Sequence, residues 1–308
     1  MKVFLISHIA DADGVTPVVL TDLAFTDYDY HLLEPSEVDD YMIECFENNK
    51  FDEYDKVFVV DLCFTDKVAQ MIDNMDLKNK LQVIDHHQSR LNLNKYDFVY
   101  VEVERDGKKV SGTSLYHEYL LNNFPNEVLK KYSVSELVDL VRSGDTWEWK
   151  ATNRLEARDI STLLVYYGND NYIKKYSKFL RENDRFYFDD TDKLLIDMDR
   201  RKMNDYIEDC KSKVIFREIK GYRVGIIFAE LYRSELGNDL ADYYKDQVDF
   251  IMIINMNRSI SFRGIRDDIN LGEFASCLEG FGHFKAAGAD LPEGIKENAI
   301  EYVIKKMK

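Results

Sequence analysis

The chain is short of the residues that make linkers, cross-links and membrane spans. Only 4 of its 308 residues are proline, and no Pro-rich linker, internal repeat or low-complexity segment appears. Its 4 cysteines, Cys45, Cys63, Cys210 and Cys277, lie far apart and form no C-x-x-C pair. That spacing suits reduced, mostly buried thiols better than a disulfide framework or a zinc knuckle. No run of about 18 apolar residues exists to span a bilayer. The chain passes from Met1-Lys2 straight into an apolar strand with no small-residue cleavage site, so no secretion signal is expected and a cytoplasmic location is the default. Positive charge is also scarce: 41 Lys and Arg stand against 57 Asp and Glu, a formal net charge of −16. Long nucleic acid needs many cationic contacts to the phosphate backbone, so a long duplex partner is not expected. A soluble, self-repelling surface explains most of the acidity, while a small phosphorylated ligand held by a few cations and metal ions remains compatible with it.

What the chain does have is an apolar fraction of 45%, ample for buried cores, arranged in β-branched-rich runs that end abruptly in polar groups. Val3-Phe4-Leu5-Ile6 runs into Ser7-His8, Val57-Phe58-Val59-Val60 into Asp61, and Leu81-Gln82-Val83-Ile84 into Asp85-His86-His87. Nearly continuous apolar runs fit strands buried on both faces of a parallel sheet. The acids and imidazoles then fall at the carboxyl ends, the edge at which open α/β sheets bind ligands.

From residue 1 to about 150 strands and helices alternate, with strands at 2–7, 29–33, 56–61 and 81–85 and helices at 14–25, 36–48 and 66–75. This order predicts a doubly wound, mainly parallel sheet. Ser133, with Glu136 three residues on, reads as the cap of a further helix. Residues 152–211 read as almost wholly helical, and the charge-rich stretch 190–210 lacks Gly and Pro. Strands return at 214–219 and 222–229 around the Lys220-Gly221 turn, followed by a helix at 238–244, strands at 250–255 and 259–263, and helices near 271–278 and 296–306. Two α/β domains joined by helices and facing one another across a cleft is the economical architecture.

His8, Asp11 and Asp13 sit on a strand-to-helix turn, where they can serve as metal ligands or as a helix cap. Asp61 closes the next buried strand and can likewise cap or coordinate. Asp85-His86-His87 is harder to read as structural, since two of only 6 histidines directly follow a strand-end carboxylate. Asp145 follows Gly144, a residue flexible enough to return a carboxylate to the sheet edge, or to make an ordinary turn. His31 and His117 are read as structural. Ser111-Gly112-Thr113 reads equally as a segment that helps shape the site and as a helix start.

Taken together, these motifs resemble the DHH phosphoesterase superfamily. Its successive signatures stand here as Ser7-His8-Ile9-Ala10-Asp11-Ala12-Asp13-Gly14, Val60-Asp61, Asp85-His86-His87 and Ser143-Gly144-Asp145. Ser261-Phe262-Arg263-Gly264 and the stretch Gly280-Phe281-Gly282-His283-Phe284-Lys285-Ala286-Ala287-Gly288 are similar to the substrate-binding signatures of the associated DHHA1 domain. The family usually carries glycine where Phe281 stands; here the side chain is read as packing, with stacking on a base as its alternative. The resemblance implies a DHH catalytic domain at 1–186, a helical connector at 187–212 and a smaller DHHA1 domain at 213–308.

It further implies two divalent ions, manganese first, with magnesium or cobalt as alternatives. His8, Asp11 and Asp61 would hold one ion and Asp13, Asp61, His86 and Asp145 the other, with Asp61 bridging. His87 would face the substrate phosphate, with Asp85 orienting the histidines; these two are the expected catalytic pair. Arg263, Gly282 and His283 would bind substrate, Arg263 by forking onto a phosphate. The expected activity is manganese-dependent hydrolysis of short oligonucleotides, linear dinucleotides or bisphosphorylated adenosine by a two-metal hydroxide, a strong nucleophile at neutral pH. The resemblance is nearest to oligoribonucleases of the nanoRNase type. Alternatives within the family are a cyclic dinucleotide phosphodiesterase and an inorganic pyrophosphatase, the latter disfavoured by the stretch from Gly280 to Gly288. From another class comes a non-catalytic nucleotide-binding regulator, which would be expected to have lost ligands. No membrane partner is expected, and a homodimer is compatible with the sequence.

Overall fold

The computed structural model describes residues 1–257 and 259–307; the side chain of Phe281, read above as packing, lies outside the described residues. The chain forms two compact units, Met1–Asp197 and Met198–Lys308.

In the first unit the elements run β1 (Val3–His8), α1 (Ala12–Ala24), β2 (Tyr28–Leu33), α2 (Val38–Glu47), β3 (Lys56–Val60), α3 (Asp66–Asp73), β4 (Leu81–Asp85), β5 (Val99–Val101), the two short strands β6 (Glu104–Arg105) and β7 (Lys108–Lys109), then α4 (Gly112–Asn123), α5 (Tyr132–Asp145), α6 (Glu148–Thr152), α7 (Leu155–Glu182) and the start of α8 (Asp190–Lys211). The sheet order is β2-β1-β3-β4-β5, and every pairing is parallel. The doubly wound reading therefore holds. β1 is buried along nearly its whole length because alternate residues enter two cores. Val3 and Leu5 pack with α1, α4, α5 and α7, while Phe4 and Ile6 pack with α2 and α3. Each such side chain, fully removed from water, contributes roughly 1.5–3 kcal/mol.

Two local expectations are corrected. The helix expected to be capped by Ser133 starts two residues earlier, at Tyr132 with Lys131 in the cap position. Ser133 Oγ donates instead to Asn183 O at 2.8 Å, and Glu136 is drawn away by Phe186 N at 2.7 Å and Arg185. The long helical region is broken by residues 183–189 and by Gly168, whose φ of 68° interrupts α7.

The second unit continues with β8 (Ile215–Ile219), β9 (Tyr222–Phe228), α9 (Arg233–Tyr243), β10 (Phe250–Asn255), β11 (Ser259–Gly264), α10 (Leu271–Ala275), β12 (Phe281–Gly282), β13 (Ala286–Asp290) and α11 (Ile295–Met307). Its sheet order is β12-β13-β11-β10-β9-β8, with only β9 and β10 parallel. One face packs on α8 and α9 through Cys210, Leu236, Leu240 and Ile253. The other holds Phe250, Phe262 and Leu271. No helix among the described residues is long and apolar enough to cross a membrane.

Candidate metal centre

The acids and imidazoles converge at the carboxyl ends of β1, β3 and β4 because the parallel sheet sets these ends side by side. Ser7 on β1 lies opposite Val60 on β3, and Val60 opposite Ile84 on β4. Ser7 Oγ reinforces the alignment by donating to Gly14 O at 2.6 Å and Val60 O at 2.9 Å. Gly14 is required here, since a Cβ would strike the His8 backbone and side chain.

Asp11 caps α1, with Oδ1 accepting from Gly14 N at 2.9 Å, while its Oδ2 faces His8 Nδ1 at 3.0 Å. Cap and ligand candidate are thus two oxygens of one carboxylate. Asp61 stands between the two imidazoles: Oδ2 lies 3.6 Å from His8 Nδ1, and Oδ1 lies 3.1 Å from His86 Nε2. The same His86 nitrogen is 3.6 Å from both Asp13 Oδ2 and Asp145 Oδ2. Asp61 adopts φ 55°, a costly conformation for a residue with a Cβ, and is backed by Gly112, whose added Cβ would lie 2.6 Å from Asp61 Cβ.

Asp13 is gripped from across the unit. Gly112 N and Thr113 N at the start of α4 donate to its two carboxylate oxygens at 2.7 and 3.0 Å, and Thr113 Oγ1 donates to its backbone carbonyl at 2.7 Å. The helix start over Ser111-Gly112-Thr113 therefore also positions a carboxylate at the positive end of a helix. Asp145 arrives as the last residue of α5, in helical rather than flexible backbone. Gly144 serves close packing instead, with a Cβ there falling 2.6 Å from Ala157 O.

His8 is raised to about 10 by its hydrogen bonds to Asp11 and Asp61. Burial opposes the charge of His86, yet the Asp61 hydrogen bond and the charges of Asp13 and Asp145 raise it to about 10. Burial likewise works to raise Asp61, but its bonds to the two histidines bring it down to about 2. Burial raises Asp145 to about 6, and burial together with Asp61 raises Asp13.

Asp85 is fully buried. Its Oδ1 accepts from His86 N at 2.8 Å, from His87 Nδ1 at 2.7 Å and, weakly, from His87 N at 3.4 Å. This arrangement suits a residue that orients imidazoles, and the bond to Asp85 raises the pKa of His87. Asp85 Oδ2 is buried without a hydrogen-bond partner among the described residues.

The donor set fits divalent cations. The carboxylates of Asp11, Asp13, Asp61 and Asp145 share two imidazoles, and Asp13 and Asp61 are almost wholly buried. Unpaired buried charge costs several kcal/mol per ion, which bound cations relieve. Three groups bring ligand atoms within 4.8 Å of one another: His8, Asp11 and Asp61; Asp13, His86 and Asp145; and Asp61, His86 and His87. The last group brings His87 within reach of Asp61 and His86 as well as of Asp85. Carboxylates and imidazoles together suit manganese or magnesium rather than softer thiophilic ions.

Sequence reading overlooked Glu34. It follows the end of β2 and its Oε2 lies 3.7 Å from His8 Nε2, the nitrogen turned away from Asp11. A carboxylate directly following the strand expected at 29–33 was the available signal. His31 and His117 lie elsewhere, as expected: His31 stacks on Tyr41 at 4.3 Å, and buried His117 bonds Leu129 O at 3.1 Å.

Arg263, Gly282 and His283 belong to the second unit. Arg263 on β11 donates to Phe262 O at 2.9 Å and Ser234 Oγ at 3.0 Å; burial and then the neighbouring charge of Arg233 lower its pKa. It pairs in register with Ala286, which closes the turn begun by His283, since His283 N donates to Ala286 O at 2.8 Å. That N–H is thus spent inside the turn. Gly282 has φ 153° and lies so close to β13 that a Cβ would come within 2.6 Å of Ala286 O.

No family model matches the chain. Oligoribonuclease NrnB from Bacillus subtilis (strain 168) is 31% identical over 303 residues, covering 95% of this chain and 74% of that protein. Among solved structures, the pGpG-specific phosphodiesterase PggH from Vibrio cholerae aligns over 99% of this chain and 98% of its own with a TM-score of 0.54 and 12% identity, a likeness of fold. The relationship to NrnB covers 95% of the chain, and so the chain belongs to the DHH family of phosphoesterases, hydrolases that act on phosphate esters.

Proposed function

We propose that this chain is a manganese-dependent phosphodiesterase that hydrolyses short nucleotides, namely oligoribonucleotides of a few residues, linear dinucleotides or bisphosphorylated adenosine. The observation that carries the reading is the position of Asp61, one carboxylate with an oxygen toward each of two acid–imidazole groups. The name of the NrnB relative supports short RNA as the substrate class.

His8, Asp11 and Asp61 would hold one ion, and Asp13, Asp61, His86 and Asp145 the other. When bound, such a pair supplies Lewis acidity and a hydroxide nucleophile at neutral pH. Asp13, locked by the α4 amides, and Asp61, backed by Gly112, keep their carboxylates in place without reorganisation. Asp85 holds His87 Nδ1, leaving Nε2 of this half-exposed ring to donate to a phosphoryl oxygen. In the second unit Arg263 and its neighbour Arg233 make a cationic place for a substrate phosphate, with Gly282 and His283 lying beyond β13, which pairs with both β11 and β12. The free cysteines accord with a cytoplasmic setting.

Purified protein with manganese should be assayed against bisphosphorylated adenosine, linear and cyclic dinucleotides, RNA and DNA pentamers, and pyrophosphate, with Asp61→Ala as control. Turnover of linear dinucleotides or RNA pentamers by the wild type alone is expected. Equal product from the variant would sink the metal mechanism, and pyrophosphate as sole substrate would sink the nucleotide reading.

A further inference from the structure

The chain has 2 tryptophans, and both fall within four residues of Asp145. Trp149 is partly buried and packs against the core of the first unit. Trp147 is 47% exposed, although its indole is the largest apolar side chain available and burial would stabilise it. Its ring lies 5.8 Å from that of Trp149 at an interplanar angle of 34°, so the inner indole supports the outer one.

The backbone at Trp147 is left-handed, with φ 60° and ψ 13°. For a bulky side chain that conformation is a genuine outlier, and such outliers persist only where surrounding structure over-determines them. The surroundings do so here. Thr146 N and Oγ1 both bond Arg142 O, at 3.0 and 2.8 Å. Trp147 N bonds Gly144 O at 3.3 Å and Lys150 N returns to Trp147 O at 3.2 Å. Arg142 pairs with Glu148 at 2.5 Å, and Arg154 N bonds Trp149 O at 2.9 Å. An exposed indole is therefore held on a rigid turn two residues beyond Asp145, a member of the acid–imidazole cluster.

We infer that Trp147 is a stacking platform for a nucleobase of the substrate. An aromatic face binds any base by stacking, with little dependence on its hydrogen-bonding edge, and needs rigidity more than polarity. The inference rests on the phosphodiesterase reading above and adds to it a base subsite: the metal cluster acts on the phosphate, and Trp147 retains the nucleoside next to it. Such a subsite favours nucleotide esters over pyrophosphate, which has no base.

The test uses two linear dinucleotides with the same sugar–phosphate, one carrying bases and one abasic. In the wild type the abasic substrate should have a KM roughly 5- to 150-fold higher. In Trp147→Ala that ratio should collapse to about 1, and Trp147→Phe should restore most of it. Trp147→Gly, which relieves the left-handed backbone, should behave like Ala if the ring is what matters. In a Trp149→Phe background, binding of the base-bearing dinucleotide should quench Trp147 fluorescence, and the abasic one should not. An unchanged KM ratio in Trp147→Ala, or absence of quenching while turnover proceeds, overturns the stacking role alone. No turnover of the dinucleotides, RNA pentamers or bisphosphorylated adenosine by the wild type overturns the phosphodiesterase reading, and the stacking role with it.

Discussion

Asp85 Oδ1 and His87 Nδ1 lie 2.7 Å apart, and the same oxygen also receives the backbone N–H of His86. One buried carboxylate thereby orients two consecutive histidines with different outlooks, His86 toward Asp61 and His87 toward solvent. Asp85→Asn should lower kcat about 10- to 100-fold, the usual effect of removing a partner behind a site residue. Manganese stoichiometry should stay at the wild-type value. His87→Ala should cost as much, and the double variant little more; additive losses measured by steady-state kinetics would show that the two residues act independently.

Glu34 should act through His8. With His8 Nδ1 turned to Asp11 and Asp61, the carboxylate near Nε2 fixes the ring and its tautomer. Glu34→Gln should weaken manganese binding about 10-fold, read from metal-dependent thermal shifts, with the metal-free Tm unchanged. An unaltered metal midpoint would place Glu34 outside the site.

Metal binding should release protons. His8 and His86 both stand at about 10 in the metal-free protein, so at pH 7 each carries a proton that a ligand must lose. Affinity should rise between pH 6 and pH 8.5, and calorimetry in two buffers of different ionisation enthalpy should show net release at pH 7. The same shifts govern stability without metal. A histidine whose folded pKa is raised contributes stability that is complete below its unfolded value of about 6.5 and is lost as pH rises through the folded value. The metal-free protein should therefore lose stability from pH 7 toward pH 10, and the manganese-loaded protein should lose less. A metal-free Tm that climbs over that interval would contradict this sign.

Gly112→Ala places a Cβ 2.6 Å from that of Asp61. Overpacking of this kind costs about 1–3 kcal/mol, and the displaced atoms belong to the carboxylate proposed to bridge the two ions and to the backbone amide that holds Asp13. Activity should fall further than the loss of stability accounts for, with manganese affinity falling alongside it. A variant destabilised in chemical denaturation but fully active once folded would count against the role of this contact.

Three tyrosines with fully buried rings differ in what their hydroxyls meet. Tyr172 bonds Thr16 Oγ1 at 3.1 Å and Tyr116 bonds Thr21 Oγ1 at 2.9 Å, whereas Tyr176 Oη has no hydrogen-bond partner among the described residues. Tyr172→Phe should cost about 1 kcal/mol, while Tyr176→Phe, which deletes an unsatisfied buried group, should be neutral or stabilising. Urea unfolding of the two variants compares them directly.

Much of the site is legible in local sequence. A buried strand must be apolar until it leaves the sheet, so the first polar residue after each run marks the edge, and Ser7-His8, Asp61 and Asp85-His86-His87 stand out in that way. Asp145 was harder, because it closes a helix rather than a strand and its neighbour Gly144 suggests a turn when it is in fact packed against Ala157. Ser133 misled because a capping pattern specifies a helix start only when no tertiary partner claims its side chains; Asn183, Arg185 and Phe186 claim them here.

Periodicity and the punctuation of strands by acids are local properties, carried by side-chain hydrophobicity and backbone preference, and they suffice for the parallel sheet, the order of the motifs and the types of ligand atom. The grip of Gly112 and Thr113 on Asp13 spans about a hundred residues of chain, and the approach of Glu34 to His8 depends on β2 lying beside β1. Neither has a local signature. Only packing sets which carboxylate meets which nitrogen, which glycine is needed for space rather than for its dihedral freedom, and which of two neighbouring tryptophans is left facing water.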